Sequence, residues 1–398
     1  MQLLKNRRWG MPEVEDDNTA EVCIVTPYQS NNYGTRLQSY ALGLAISRAG
    51  RKVTYLNSFG ARAWLLMHPS LLLARLVSKA QGKRRKEFFS PSPYVPSEER
   101  VKRMREFTDT NYYPAKCSNM KEWQHHIQHR TIFVAGSDII WQPAWGYPTK
   151  YFLDFAVTAN LPCFSYASSI GAQEIPKAYH RAYRSYLSRF VRIGVREEQA
   201  ANLLEPVVGR QITRVADPTL LLERADWDEF SQRARMSKPI SDGGFILCYF
   251  VMDDSRYWEF VARVQASIDL PVVVLPMHES DELQPYEIIT DGTPYEFVWL
   301  IKHSAVVLTD SFHACCMSLQ YEKEFYLMRR ARKDEDAKYD EFLDRYELRG
   351  RVVDENEPFT RRSIDYTSAS KRLAEERAMS FAFINDALTS ADALRKGN

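Results

Sequence analysis

Short runs of β-branched and aromatic residues alternate with helix-length segments along most of this 398-residue chain. This alternation predicts parallel strands, because a parallel strand is reached by a crossover long enough to hold a helix. In the first half, the predicted strands cover 21–27, 52–56, 131–136, 162–168, 191–195 and 212–216. In the second half, they cover 245–250, 271–276, 305–310 and 324–328. The sequence therefore predicts an α/β fold.

A polar segment punctuated by Pro and Gly, 223–244, separates the two strand series and marks a domain boundary. We predict two doubly wound, Rossmann-like domains that face each other across a cleft. The predicted organisation is a loose N-terminal tail (1–20), an N-terminal domain (21–222), a linker (223–244), a C-terminal domain (245–366) and a C-terminal helix (367–398).

Composition narrows the functional classes. The formal net charge is +2, so the chain is not a general nucleic-acid binder. None of the six cysteines forms a C-x-x-C pair, which favours reduced thiols and no zinc site. The N-terminus lacks the apolar core of a secretory signal, and no apolar run reaches the roughly 18 residues that a membrane span needs. We expect a cytoplasmic protein.

Ligands of doubly wound folds bind beyond the carboxyl ends of the strands. After the first strand, Asn31, Asn32 and Gly34 form a turn that opens a helix and suits an anion or sugar hydroxyls. After the strand at 131–136, Asp138 and Trp141 pair a carboxylate with an aromatic ring, as in sugar sites or around a general base. Simple helix capping explains both turns equally well.

Two cationic positions follow later strands. Arg196 is predicted to begin a helix, where a basic residue is unusual; a bound anion or a surface salt bridge would explain it. His313 follows Asp310 and Ser311 in the first turn of another helix, off its buried stripe of Phe312, Cys315, Cys316 and Leu319. An imidazole placed there can contact a phosphate or deliver a proton, although a structural histidine is the alternative.

Taken together, the motifs "NNYGTRLQSYAL", "GSDIIW", "SYASSIG", "GVREEQAANLL", "ADPTLLL" and "PYEFVWLIKHSAVVLTDSFHACCMSLQYEKEF" resemble the polysaccharide pyruvyl transferase family. They occur in the family's order and span about residues 21 to 328. The resemblance implies a GT-B-like pair of domains, with the acceptor on the N-terminal side and the donor on the C-terminal side. It also implies transfer of pyruvate from phosphoenolpyruvate, as co-substrate, to a sugar as a ketal, without cofactor or metal.

The resemblance also implies roles for individual residues. Arg196 would clamp the anionic donor, His313 would contact phosphate and act as an acid, and Asp138 would act as a base. Where one branch of the family has R-L-H, this chain has Ser311-Phe312-His313, so Arg329, Arg330 or Arg332 would replace the missing arginine. The implied donor site comprises Arg196, Ser311, His313, Arg329 and Arg330, and the implied acceptor site Asn31, Asn32, Gly34, Asp138 and Trp141.

Two other functions stay open. A GT-B-like glycosyltransferase would use a nucleotide sugar and would need a ribose-binding carboxylate in the C-terminal domain. A catalytically inactive polyanion-binding relative would agree with two departures from the family pattern, Ser311 and Ala314, the latter in place of a glycine.

The acceptor, a sugar or oligosaccharide, could be lipid-linked. Segment 62–87 carries apolar residues together with seven basic residues against Glu87, a net charge of +6. Such a segment suits peripheral contact with an anionic membrane surface. A helix packed on the domain is the favoured alternative, since Pro69 interrupts the pattern.

Overall fold

The protein is described by a computed structural model over residues 20–56, 94–115, 131–143, 149–240, 244–330, 336–353 and 358–397. Its first half forms a seven-stranded parallel sheet in the order β3-β2-β1-β4-β5-β6-β7. The strands are β1 (Glu21–Val25), β2 (Val53–Leu56), β3 (Pro114–Ala115), β4 (Thr131–Ala135), β5 (Cys163–Ser168), β6 (Ile193–Val195) and β7 (Thr213–Arg214). All residues of β4 and β5 are buried, as expected for central strands covered on both faces.

Helices connect these strands, and the last helix follows β7, the final strand of the sheet. They are α1 (Tyr33–Arg48), α2 (Glu98–Asn111), α3 (Asp154–Thr158), α4 (Lys177–Leu187), α5 (Glu198–Val208) and α6 (Pro218–Leu221). A 3₁₀ turn covers Thr149–Phe152.

The second half forms a six-stranded parallel sheet in the order β10-β9-β8-β11-β12-β13. Its strands are β8 (Ile246–Tyr249), β9 (Val272–Val274), β10 (Glu287–Ile288), β11 (Val306–Thr309), β12 (Glu324–Met328) and β13 (Val352–Val353). Its helices are α8 (Ser255–Ile268), α9 (Glu279–Glu282), α10 (Pro294–His303), α11 (Phe312–Gln320) and α12 (Asp336–Arg345). A 3₁₀ turn covers Arg349–Arg351.

The order of the strands reverses at the same place in both sheets, between β1 and β4 in the first and between β8 and β11 in the second. This is the 3-2-1-4-5-6 order of Rossmann domains, which bind ligands where the strand order reverses. The predicted fold class, two Rossmann-like domains in a GT-B-like pair, is confirmed.

Two segments link the halves. The predicted linker 223–244 contains helix α7 (Arg224–Ser231), whose Trp227 and Phe230 are buried. Helix α13 (Thr367–Gly397) follows the second sheet yet packs on the first domain. There Ser380 Oγ accepts a hydrogen bond of 2.9 Å from Ala216 N, and the Phe383 ring lies over Gly194.

The largest apolar core runs through both domains without a break. Helix α1 is buried at nearly every position, and its Tyr33 ring stacks on Phe297 of α10 at 5.6 Å between centroids. Helix α2 strengthens this junction, because the buried Arg100 donates to Pro276 O at 2.7 Å and lies 4.8 Å over the Tyr33 ring. The two sheets are therefore held by one shared core.

Candidate active site

The loops at the two reversal points face each other. On one side are the turn after β1, which opens α1, and the turn after β4; on the other is the turn after β11, which opens α11. Asn32 Oδ1 caps α1 by accepting from Thr35 N at 3.1 Å. Ser311 Oγ caps α11 by accepting from Ala314 N at 3.4 Å. The amino ends of both helices thus border the same region.

Gly34 and His313 meet at the centre of this region. A Cβ atom on Gly34 would lie 2.2 Å from His313 Nδ1, so glycine is required for the ring to lie there. His313 is only 8% exposed, and its Nε2 has no hydrogen-bond partner among the residues that the structure describes. The expected single buried stripe on α11 is wrong, because every residue of the helix is buried.

Asp217 is the nearest acidic group to this imidazole that the structure records. Its Oδ2 lies 3.6 Å from His313 Nε2, an ion-pair distance when the ring is protonated but too long for a hydrogen bond. Burial acts to raise the pKa of Asp217, but His313, Arg196 and Thr219 together hold that pKa well below its usual range. Sequence reasoning gave Asp217 no role, although it directly follows a predicted strand end.

Arg196 differs from its prediction in two respects. Helix α5 begins at Glu198, so Arg196 precedes the helix rather than starting it. The residue is 5% exposed, and its guanidinium pairs with Glu197 Oε1 at 2.7 Å and Asp217 Oδ2 at 3.1 Å, which is a buried network and not a surface salt bridge. Burial acts to lower its pKa, but Glu197 and Asp217 raise it above the usual value.

The amino end of α5 is already occupied by a carboxylate. Glu341 of α12 accepts from Glu198 N at 2.7 Å and from Gln199 N at 2.9 Å. A small cavity beside Arg196 and Asp217 includes Glu341 in its wall, so residues of both domains surround it. An anion at this helix end would have to replace Glu341.

Asp138 lies at the carboxyl end of β4 with an uncommon backbone, φ +94°. Its Oδ2 accepts from Thr35 Oγ1 at 2.7 Å, and its Oδ1 accepts from Ile139 N at 2.8 Å. Its charge also contributes to the raised pKa of Arg196, which brings it into the same electrostatic neighbourhood. A non-glycine residue held in this region of φ is a recurrent feature of functional sites.

Trp141 does not suit the role expected for it. The side chain is fully buried, its Nε1 donates to Tyr151 O at 2.9 Å, and its ring stacks on Phe152 at 5.7 Å. A ring enclosed in the core cannot act as a plate for a sugar. The hydrophobic pattern of the sequence around Trp141 did not indicate whether the indole would face the core or the cleft.

The remaining predicted donor residues hold structure together. Arg329 Nη2 donates to Asp340 Oδ1 at 2.6 Å, and Arg330 Nε lies 3.2 Å from Asp310 Oδ2. Asp310 is fully buried and also accepts from Val251 N at 2.6 Å, which ties the end of β8 to the end of β11. Asn31 is exposed at the rim of the α1 turn.

Three expectations fall outside the described residues, namely the N-terminal tail apart from residue 20, the basic segment 62–87 and Arg332. Within the described ranges, no helix is both long and apolar enough to cross a bilayer. In the same ranges, no three His, Cys, Asp or Glu side chains are grouped so as to hold a metal ion.

Comparison with solved structures finds similarity at low identity. The UDP-GlcNAc 2-epimerase of Neisseria meningitidis bound to UDP-GlcNAc is 10% identical over 93% of this chain and 94% of its own, with a TM-score of 0.46. The UDP-N-acetylglucosamine 2-epimerase of Rickettsia bellii is 7% identical over 94% and 96%, with a TM-score of 0.45. The glycosyltransferase SnogD of Streptomyces nogalater is 11% identical over 96% and 100%, with a TM-score of 0.41.

No curated protein matches the chain. The sequence model of the polysaccharide pyruvyl transferase family matches residues 94–331, which is more than half of the chain. The matched range contains Asp138, Arg196, Asp217 and His313. This chain therefore belongs to the polysaccharide pyruvyl transferase family.

Proposed function

We propose that this protein transfers pyruvate from phosphoenolpyruvate to a sugar of a glycan precursor, forming a ketal and releasing phosphate. The observation that carries the proposal is the convergence of both reversal points on His313, whose buried Nε2 has no hydrogen-bond partner in the described part of the chain. A buried nitrogen without a partner costs free energy unless a ligand satisfies it.

The reaction needs a proton donor beside the methylene carbon of phosphoenolpyruvate and a proton acceptor beside the sugar hydroxyl. Protonation of the methylene carbon of phosphoenolpyruvate makes the neighbouring carbon electron-deficient, and a sugar hydroxyl adds to it. Phosphate then leaves, and a second hydroxyl closes the ketal. Each hydroxyl gives up its proton as its oxygen bonds to carbon, so a base near the acceptor accelerates the step.

Two observations support assigning these roles to His313 and Asp138. Gly34 packs against the Nδ1 side of the His313 ring, and Nε2 is buried 3.6 Å from Asp217 Oδ2. Asp138 lies beside the amino end of α1, where the hydrogen bond from Thr35 fixes one carboxylate oxygen. We assign His313 as the phosphate contact and acid, and Asp138 as the base that receives the hydroxyl proton.

Arg196 can clamp the donor only by exchanging partners. Both of its described acceptors are carboxylates, Glu197 and Asp217, and the donor brings a carboxylate of its own. A guanidinium binds such a group through two parallel hydrogen bonds, so the exchange conserves charge-assisted contacts. We assign Arg196 as the donor clamp on this basis.

Thermal shift measurements test the proposal directly. A ligand that binds only the folded state raises the melting temperature. Phosphoenolpyruvate is expected to raise that of the wild type, to fail with His313→Ala, and to act normally on the control His180→Ala in α4. If UDP- or GDP-sugars stabilise the protein and phosphoenolpyruvate does not, the glycosyltransferase assignment replaces this one.

A further inference from the structure

Asp217 contacts both cationic side chains of the proposed donor site. Arg196 follows β6 in the N-terminal domain, and His313 lies on α11 in the C-terminal domain. The same carboxylate oxygen, Oδ2, accepts from Arg196 Nη1 at 3.1 Å and lies 3.6 Å from His313 Nε2. Asp217 therefore joins the two residues across the domain junction.

Thr219 fixes the orientation of the Asp217 carboxylate. Oδ1 accepts from Thr219 N at 2.9 Å and from Thr219 Oγ1 at 2.7 Å. Because both bonds hold Oδ1, Oδ2 is directed towards Arg196 and His313. A side chain whose rotation is limited in this way can orient a neighbouring imidazole.

The net charge of the cluster is negative, so it can take up one more proton and become neutral. Arg196 contributes +1, and Glu197 and Asp217 contribute −1 each, so the three together carry −1 when His313 is neutral. Protonation of His313 brings the sum to zero. Other ionisable groups also act on this cluster, among them Asp138 on Arg196, Cys316 and Tyr166 on Asp217, and Glu341 on Glu197. Lys338, Arg345 and Glu376 line the adjacent cavity, where their charges sum to +1. A buried charge left without a counter-charge is costly, which favours the neutral total.

We infer that Asp217 is a positioning residue, which orients the His313 ring and stabilises a positive charge on it during proton transfer. The inference rests on the proposed function for the identity of the proton acceptor, the methylene carbon of phosphoenolpyruvate. In that step an N–H bond of the protonated imidazole breaks and its electron pair stays on nitrogen. The π electrons of the enol form the new C–H bond, and the neutral imidazole remains beside Asp217.

The gap of 3.6 Å between Nε2 and Oδ2 is part of this role. At this distance the carboxylate stabilises a charge on the ring by ion pairing, without a short hydrogen bond. The donor can then accept the proton without first breaking a short hydrogen bond. Asp217 acts through His313 and does not itself touch the reacting carbon.

The decisive measurement is an NMR titration of the ring protons of His313 in the ligand-free protein, with the resonance assigned from His313→Gln. In Asp217→Asn, which preserves shape and removes charge, the titration midpoint should fall by about one pH unit or more. The control Asp344→Asn, an exposed residue paired with Arg349, should leave the midpoint in place. An unchanged midpoint in Asp217→Asn overturns the inference.

A second variant protects the test against misfolding of the first. Thr219→Val removes the hydroxyl that holds Oδ1 and keeps the shape of the side chain. It should lower the midpoint by a smaller amount than Asp217→Asn, and no change would again contradict the inference. Neither variant needs phosphoenolpyruvate for this readout, so failure of the donor to bind would reject the proposed function while leaving the Asp217–His313 relation standing.

Discussion

Gly34 of the first domain and His313 of the second lie in direct contact, with no room for a methyl group between them. The contact joins the amino ends of α1 and α11, so it fixes the distance between the two reversal points. The site depends on a backbone surface in one domain and an imidazole in the other, and neither domain contains it alone.

Gly34→Ala is expected to disturb this contact. Its Cβ would lie 2.2 Å from Nδ1 and 2.6 Å from Cβ of His313, so the ring or the domain junction must move. Overpacking of this kind costs about 1–3 kcal/mol of unfolding free energy. Urea denaturation should show that loss, and phosphoenolpyruvate should no longer raise the melting temperature. Gly350→Ala, with no atom within 4 Å of the new Cβ, is the matched control; equal behaviour of the two variants would contradict the prediction.

Arg196→Ala is expected to destabilise the fold as well as the site. It leaves Glu197 and Asp217 buried with their guanidinium partner removed, and breaking such a network costs about 3–5 kcal/mol. Arg192→Ala breaks the exposed pair with Asp386 and should cost at most about 1 kcal/mol. Chemical denaturation of both variants measures the difference. A cost for Arg196→Ala no larger than that for Arg192→Ala would show that the network contributes little.

Asp217 gives stability a defined dependence on pH. Its pKa is lower in the folded protein than in the unfolded chain, so its contribution is complete above the unfolded value of about 3.9 and is lost as the pH falls towards the folded value. The difference in unfolding free energy between wild type and Asp217→Asn should therefore be constant near neutral pH and shrink below about pH 4. Denaturation at a series of pH values measures it; a gap that widens in acid would have the wrong sign.

Asp138→Asn separates chemistry from binding. Asparagine tolerates positive φ better than most residues, so the backbone at +94° should be retained. Loss of the base should reduce phosphate release in the presence of acceptor by about 10²–10⁴-fold. The shift in melting temperature with phosphoenolpyruvate should persist. Full activity in this variant would remove Asp138 from the proposed mechanism.

The fold could be predicted from strand patterns because buried parallel strands are continuous apolar runs. Every predicted strand is present, and those that were missed are β3, β10 and β13, each of two residues. A pair of residues carries no periodicity, so these edge strands arise from pairing with their neighbours and not from a local signal.

The site was predictable only as far as strand ends determine position. Gly34, Asp138 and His313 were predicted at strand ends, and the structure brings them to one region because the ends of parallel strands collect at one edge. Trp141 was misjudged because the direction of a side chain after a strand depends on packing around it, here against Phe152. Asp217 was overlooked because its sequence, Asp-Pro-Thr, is that of an ordinary helix cap, and it caps α6 as well as contacting Arg196.

Because the two halves share one continuous core, they cannot be expected to fold separately. Separating the halves would strip α1 of its partners in α10 and α11 and expose the Tyr33 and Phe297 rings to water. Neither half is then an independent folding unit, despite each having a complete sheet. Heat or denaturant should unfold the molecule in a single transition, and chimaeras made by exchanging halves between relatives will fold only if the facing helices are exchanged as a matched set.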